Sequence, residues 1–273
     1  MKKRKHRKHG LLKLAAAGLF MLAPGYASKR QKAPFIGVNF AHRGLHTEDK
    51  RVPENSLEAF RLAAEAGYGI ELDVQLSKDG RVVVFHDDTL DRVCGVRGRV
   101  DDYKYDELKK MSLCGSSQTV PLFTEVLDVI GGRSPLIVEL KTGPRNKELC
   151  RKTYDILENY RGEVCIESFN PLIVAWFRFH ARDIVRGQLA MPMKEYGRKD
   201  ASPPLAFALS RGLTNFIARP QFEAYKIGFR PLGIRIAEKL GAMAIGWTSH
   251  EAKNEKHRDG VIFEFYKPEK RFK

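Results

Sequence analysis

The chain lacks the pieces of several common site types. Its four cysteines, Cys94, Cys114, Cys150 and Cys165, include no CxxC pair and have no histidines at zinc spacing. They read as buried thiols, although Cys94 and Cys114, in one loop-rich region, would be placed to pair outside the cytoplasm. No glycine-rich phosphate loop follows the first predicted strand, which disfavours a doubly wound nucleotide-binding sheet. There is no low-complexity tract and no internal repeat of roughly 20–50 residues. No apolar run reaches the ~20 residues of a membrane-spanning helix. Finally, Met1–Pro34 contains no acidic residue at all.

That last absence locates the charge. The net charge is +15, and ten Lys/Arg lie in Met1–Pro34, so removing them leaves about +5 on the remaining chain. The basic head is not interleaved with aromatic residues, so no nucleic-acid partner is expected. A basic start, an apolar stretch from Leu11 to Ala27 broken by Lys13 and Pro24, and a small-residue exit form a secretory signal. An uncleaved interfacial anchor fits the same pattern, since flanking Lys and Arg snorkel. Residues 1–34 are therefore expected to target the protein, membrane-associated or secreted, with a membrane surface as a partner. A disordered basic tail on a cytoplasmic protein is the alternative.

What is present is a regular alternation. Strands are predicted at Phe35–His42, Gly69–Leu76, Leu136–Lys141, Val164–Phe169, Ile184–Ala190, Asn215–Ala218, Ala242–Thr248 and Gly260–Glu264. Between them lie helix signals: Asn55 as an N-cap with Glu58 three residues on, Gly67 as a stop, and Asn170-Pro171 as cap and first residue of another helix. Eight such units in 35–273 have the rhythm of an α/β (β/α)8 TIM barrel, whose catalytic groups sit at strand C-termini. His42, Arg43, Glu71, Asp73, Glu139, Lys141 and Trp247 all fall at or near such ends.

The densest stretch is Gly69–Leu90, GIELDVQLSKDGRVVVFHDDTL. Two apolar runs flank Asp79-Gly80, a hairpin signal. Alternation puts Glu71, Asp73 and Gln75 on one face and Leu72, Val74 and Leu76 on the other. A two-residue Asp79-Gly80 loop sets Asp73 opposite His86, with Cβ atoms roughly 5 Å apart. A three-residue loop with a Gly80 bulge would slip the register by one and turn His86 away; the first register is the expectation. Glu71, Asp73 and Glu139 then offer three hard oxygen donors, a set for Mg2+ or Ca2+ rather than zinc. Arg43 and Lys141 add fixed positive charge that a phosphate would satisfy. His42 and His86 are candidates for general base and general acid.

At these residues the sequence resembles the glycerophosphodiester phosphodiesterase family. The matching text is AHRG (Ala41–Gly44), PENSLEAF (Pro53–Phe60), the Gly69–Leu90 stretch continued to Arg92, VELKT (Val138–Thr142), ESFNP (Glu167–Pro171) and the strand ending at Trp247. The resemblance implies a (β/α)8 barrel with a small insertion after the second strand, about 74–120. It implies a divalent metal on Glu71, Asp73 and Glu139, a histidine pair at His42 and His86, and phosphate contacts at Arg43 and Lys141, with Trp247 as a further substrate contact. The expected activity is metal-dependent hydrolysis of glycerophosphodiesters to glycerol phosphate and an alcohol. Alternatives are a lysophospholipase D-like or other lipid phosphodiesterase, and an inactive barrel serving as a surface binding protein. One departure stands out. Where members commonly end the last strand with Asp-Arg-Pro, this chain reads Phe263-Glu264-Phe265-Tyr266-Lys267-Pro268.

Overall fold

The computed structural model describes residues 13, 16–197 and 201–272. Eight parallel strands close into a barrel: β1 (Val38–Ala41), β2 (Gly69–Leu76), β4 (Leu136–Leu140), β5 (Val164–Ser168), β6 (Val185–Ala190), β7 (Phe222–Lys226), β8 (Met243–Ser249) and β9 (Gly260–Phe263). β1 pairs with both β9 and β2, which completes the ring. The ninth strand, β3 (Val82–Val84), is the antiparallel hairpin partner of β2 and lies outside the ring.

The helices pack on the outside. They are α1 (Leu57–Ala66), α2 (Phe123–Ile130), α3 (Asn146–Leu157), α4 (Pro171–His180), α5 (Pro203–Ser210), α6 (Asn215–Ala218) and α7 (Leu232–Lys239). Outward residues of β2 and β4, among them Ile70, Leu72, Val74 and Val138, bury against Phe60, Ala63, Phe123 and Val126 of α1 and α2. Inside, Phe40, Ile137, Val185, Phe222 and Ile245 fill the lower barrel. The space for two large rings comes from glycines on neighbouring strands: a Cβ at Gly187 would sit 2.0 Å from the Phe222 ring, and one at Gly69 2.5 Å from Phe40. A third cluster, with Val83, Phe85, Leu90, Val100, Leu108 and Val120, gives the segment after β3 its own small core.

Three sequence expectations change. Asn215–Ala218 is a helical turn, not a strand; the strand begins seven residues later at Phe222. Arg219 takes a left-handed conformation and Pro220 follows, so the chain turns there before FEAYK alternates Phe222 and Ala224 inward with Glu223 and Tyr225 outward. The hairpin register is the slipped one. Val74 pairs with Val84 and Leu76 with Val82, Ser77 N–H donates to Arg81 O, and Gly80 is left-handed at φ 75°. This is the three-residue loop with a Gly80 bulge. Lastly, Ser56 rather than Asn55 caps α1, its side chain accepting from Ala59 N–H.

The N-terminal segment is partly built into the barrel. A helix over residues 16–22 ends where Arg219 donates to Phe20 O and Ala23 O. The chain then runs beneath the strand starts. Gly25 N–H donates to Pro220 O, Gln221 Nε2 to Tyr26 O, Lys32 Nζ to Gly241 O and Gly37 N–H to Asp259 O. Residues 22–37 thus form a floor under β7, β8 and β9. The basic head at residues 1–12 lies outside the described residues. At the other terminus, among the described residues, no helix follows β9; residues 264–272 lie along β1, with Asn39 N–H donating to Lys270 O and Phe272 N–H to Gly37 O.

Glu223, buried between β7 and α6, gives a test of this packing. Asn215 Nδ2 donates to its Oε1 at 2.6 Å, while Oε2 has no partner. Burial pushes its carboxyl up to about 8, against the lowering effect of the Asn215 bond. Between the ordinary carboxylate value and about 8 the unfolded chain releases a proton that the folded chain keeps. Stability should therefore fall as pH rises through that window. Glu223→Gln should flatten that limb and add stability on the order of 2–4 kcal/mol at pH 8, read by urea unfolding across pH.

Candidate active site

The strand register assembles the site. Asp73 pairs with Glu139, and Glu139 with Glu167, across three adjacent parallel strands. Residues in register on parallel strands point the same way, so all three carboxylates enter the barrel side by side, joined by Glu71 two residues before Asp73 on β2. Glu71, Asp73 and Glu167 are at most 2% exposed and Glu139 is 7% exposed. One oxygen each from Glu71, Asp73 and Glu139 lies within 4.8 Å of the others.

Two cationic side chains face this acid. Lys141, one step past β4, places Nζ 2.7 Å from Glu139 Oε1 and 3.4 Å from Asp73 Oδ1. Arg43 stands 3.6 Å from Asp73 Oδ2 through Nε and donates through Nη1 to Glu54 at 2.6 Å. The turn after β1 explains its position. Arg43 and Gly44 are both left-handed, and a Cβ on Gly44 would lie 2.8 Å from Ala59, so only glycine admits this close approach to α1. The same turn brings Arg43 N–H to Glu71 Oε2 at 3.0 Å. Asn55, also left-handed and released from the helix cap, donates to Asp73 Oδ2 at 2.8 Å.

The charges do not balance within the protein. Burial pushes Glu71 well up, and repulsion by Asp73, Glu139 and Glu167 adds to it. Burial likewise raises Glu139 and Glu167. Asp73 is the exception. Burial works against it, yet His86, Lys141, Arg43 and the Asn55 bond hold it well below the usual carboxylate range. Burial disfavours a charged Lys141, but Glu139 and Asp73 more than offset this and raise it. Four carboxylates against two cations, with Asp73 Oδ1 lacking a hydrogen-bond partner, is a donor set that a hard divalent cation fits.

Both predicted histidines reach this pocket. His42 bonds through Nδ1 to Glu264 Oε2 at 2.8 Å, and its Nε2 lies 3.9 Å from Glu71. Burial drives its pKa down to about 4, partly countered by Glu264. His86 arrives by a different route from the one expected. Strand β3 ends at Val84, and Gln75 Nε2 donates to the carbonyls of Phe85, His86 and Asp87. That clamp turns the chain, so His86 enters the site despite the slipped register. Its Nδ1 meets Asp87 Oδ1 at 2.6 Å. Trp247, at the end of β8, forms the opposite wall with Phe169, their rings edge to face at 5.6 Å. The pocket of about 110 Å3 is lined by His42, Arg43, Glu71, His86, Glu139 and Trp247, among others.

Three contributors were not singled out from sequence. Glu167 had a signal, an inward position beside Glu139 in VCIES. Glu264 sits at the point where the last strand departs from the family pattern, and it gathers His42, His46 at 3.5 Å and His250 at 3.7 Å. Arg92 had no signal in spacing. It joins Asp87, through Nε at 2.6 Å, to Glu54, through two bonds of 2.7 Å. An unbroken ion-pair chain thus runs from Arg43 through Glu54, Arg92 and Asp87 to His86.

Residues 42–260 match the Glycerophosphoryl diester phosphodiesterase family. The chain belongs to this family. A glycerophosphodiester phosphodiesterase of Caldanaerobacter subterraneus subsp. tengcongensis is 40% identical over 143 residues, covering 48% of this chain and 57% of that protein. A lysophospholipase D of Homo sapiens is 29% identical over 163 residues, 55% of this chain and 50% of its own length. The match thus spans about half the length of these curated relatives. Among solved structures, an Oleispira antarctica phosphodiesterase in complex with sn-glycerol-3-phosphate superposes with a TM-score of 0.70, at 22% identity, over 85% of this chain and 94% of that one. The closed barrel is the fold this family's structures share.

Arg92 lies on the exposed side of the ion-pair chain and reaches the pocket only through its partners. Arg92→Ala should release Glu54 and Asp87 together, lowering turnover about 10–100-fold, the usual cost of losing outer-shell support. Circular dichroism and melting should stay near wild type, because Arg92 itself is 46% exposed and Glu54 and Asp87 each keep a second partner, Arg43 and His86. Arg92→Lys, unable to span both carboxylates with a planar fork, should recover little.

Proposed function

We propose that this protein hydrolyses glycerophosphodiesters to glycerol phosphate and an alcohol, by general acid/base catalysis with His42 and His86. The observation that carries the reading is one barrel mouth that gathers four buried carboxylates, two half-buried cationic side chains and two imidazoles at and beside one small pocket. Glu71, Asp73 and Glu139 would hold a divalent cation, Mg2+ or Ca2+ by its all-oxygen donors. When bound, it would help neutralise the phosphoryl oxygens as charge builds.

The chain's own groups supply the rest. Arg43, its guanidinium held beside Asp73 and lining the pocket, would donate to a phosphate oxygen, with Lys141 as a second positive charge on Asp73. Glu264, whose own burial is outweighed by the bond from His42 and by the nearby His46 ring, stays ionised and fixes the proton on His42 Nδ1. Nε2 of His42 is then left as the acceptor. A ring pushed down to about 4 is neutral near pH 7, as a base must be. It takes the proton from the attacking hydroxyl, assigned to glycerol's own vicinal hydroxyl. His86, held at Nδ1 by Asp87, gives a proton to the departing alcohol oxygen. The product of that step is a cyclic phosphate and the free alcohol, and water then opens the ring to glycerol phosphate. Phe169 and Trp247 offer the apolar wall for the substrate's carbon skeleton.

A second reading, hydrolysis of lysophospholipids, draws on the likeness to a protein named lysophospholipase D and on the apolar wall, which Leu189 and Ile262 extend. Parallel assays on glycerophosphocholine and lysophosphatidylcholine separate the two.

Three outcomes are expected. Dialysis against EDTA should abolish turnover and Mg2+ or Ca2+ should restore it, with Glu71→Gln inactive yet folded; full rates in excess chelator would sink the metal assignment. His42→Ala and His86→Ala should each lose at least ~10²-fold in kcat/KM, the scale of a positioned proton-transfer group. A propanediol analogue lacking the vicinal hydroxyl should bind without reacting, and its rapid hydrolysis would mean that water attacks phosphorus directly.

A further inference from the structure

The residues 16–22 helix, AAGLFML, is apolar throughout, yet residues 16–20 are exposed on the described surface. Leu19 is 49% and Phe20 61% exposed. A helix that is apolar all round is ordinarily covered, by protein or by lipid. None of the chain's described elements covers this one beyond its last turn, where Arg219 and Asn215 hold the carbonyls of Phe20, Leu22 and Ala23.

The surface around that attachment continues its chemistry. Arg219 stacks on the Phe20 ring at 4.4 Å and Arg178 on Phe179 at 4.8 Å. Arg178 also donates to Phe216 O, and the Phe179 and Phe216 rings are exposed. Aromatic rings and guanidinium groups thus alternate on one face. Seven Lys/Arg lie in Met1–Lys13, and the first acid in the chain is Glu48. No described helix is long and apolar enough to cross a membrane.

We propose that this face is a docking surface for an anionic lipid bilayer, with the residues 16–22 helix lying in the interface and Arg178 and Arg219 beside the headgroups. The attachment sits at Arg219–Gln221, directly before the start of β7, whereas the catalytic pocket opens at the strand C-termini. The bilayer therefore meets the barrel floor and the active site faces water. Resting on the hydrolase reading above, this geometry selects diesters dissolved in the aqueous phase over lipids still in the membrane.

The test uses the full chain and vesicles of phosphatidylcholine, with or without phosphatidylglycerol. Cosedimentation should require phosphatidylglycerol and weaken with added salt. Leu19→Glu combined with Phe20→Glu should lower vesicle affinity at least ~10-fold while turnover of glycerophosphocholine in solution stays at wild type. Equal binding by the double variant overturns the proposal, as does recovery from cell membranes of a chain that begins beyond Phe20. Orientation is read by brominated lipids. With Trp176→Phe as the background, so that Trp247 at the mouth is the only tryptophan, Phe20→Trp should be strongly quenched, while the background protein should not be. Quenching of Trp247 alone to the same degree would put the mouth on the membrane and overturn the inference. None of these readouts needs the hydrolase reading to hold, so the two fail separately.

Discussion

Four acidic side chains are forced together inside the barrel, and much of the surrounding structure answers that constraint. The register that pairs Asp73 with Glu139 and Glu139 with Glu167 leaves them no freedom to separate. Two like charges about 4 Å apart repel by about 4 kcal/mol at an effective dielectric near 20, before any desolvation cost. Lys141, Arg43 and Asn55 each contact Asp73, and that one carboxyl stays ionised while its neighbours are pushed up. The left-handed turn after β1 and the transfer of the helix cap to Ser56 are local distortions with one common effect: both bring a donor to these acids.

The compensation does not stop at the pocket. Arg43 shares Glu54 with Arg92, and Arg92 shares Asp87 with His86, so the segment after β3 is tied to the β1 turn by alternating charge. That segment has its own apolar core and few other ties to the mouth. Its placement of His86 depends on this chain and on the triple carbonyl clamp of Gln75. An insertion that looks peripheral in sequence is therefore mechanically part of the site.

The barrel is legible in the sequence because eight apolar, evenly spaced strands end in polar residues and no glycine-rich phosphate loop follows the first of them, which sets the doubly wound sheet aside. It misled where two signals competed. Asn215–Ala218 is apolar and short, and nothing local distinguishes a buried helical turn from a strand at that length. FEAYK hid the true strand behind Glu223, a buried acid on the helix-facing side. Asp79-Gly80 favours the commoner two-residue loop, but Ser77 accepts from Arg81 N–H and donates to Asp79, stabilising the three-residue alternative. His86 nonetheless reaches the pocket, because the turn past β3 is set by a side chain whose role alternation cannot reveal. Asn55 and Ser56 both have cap chemistry, and only the fold decides which of two adjacent capping residues is needed elsewhere.

The two ends of the barrel also differ in the range at which their charges act. At the mouth, acids outnumber bases, but they are buried, close-packed and largely neutralised by one another's shifts, so their field is short-ranged. Over the whole molecule the balance is +15. An anionic phosphodiester close to the surface therefore meets net attraction, and only within the pocket does it meet carboxylates. There a bound cation would reverse the local sign. The basic excess is concentrated ahead of the floor, and beyond roughly 8 Å at physiological salt its pull on a substrate at the mouth is screened. What remains near the mouth is the modest charge of the barrel itself, and on the proposed reading the work of holding phosphate would fall to Arg43, Lys141 and the metal those acids would carry.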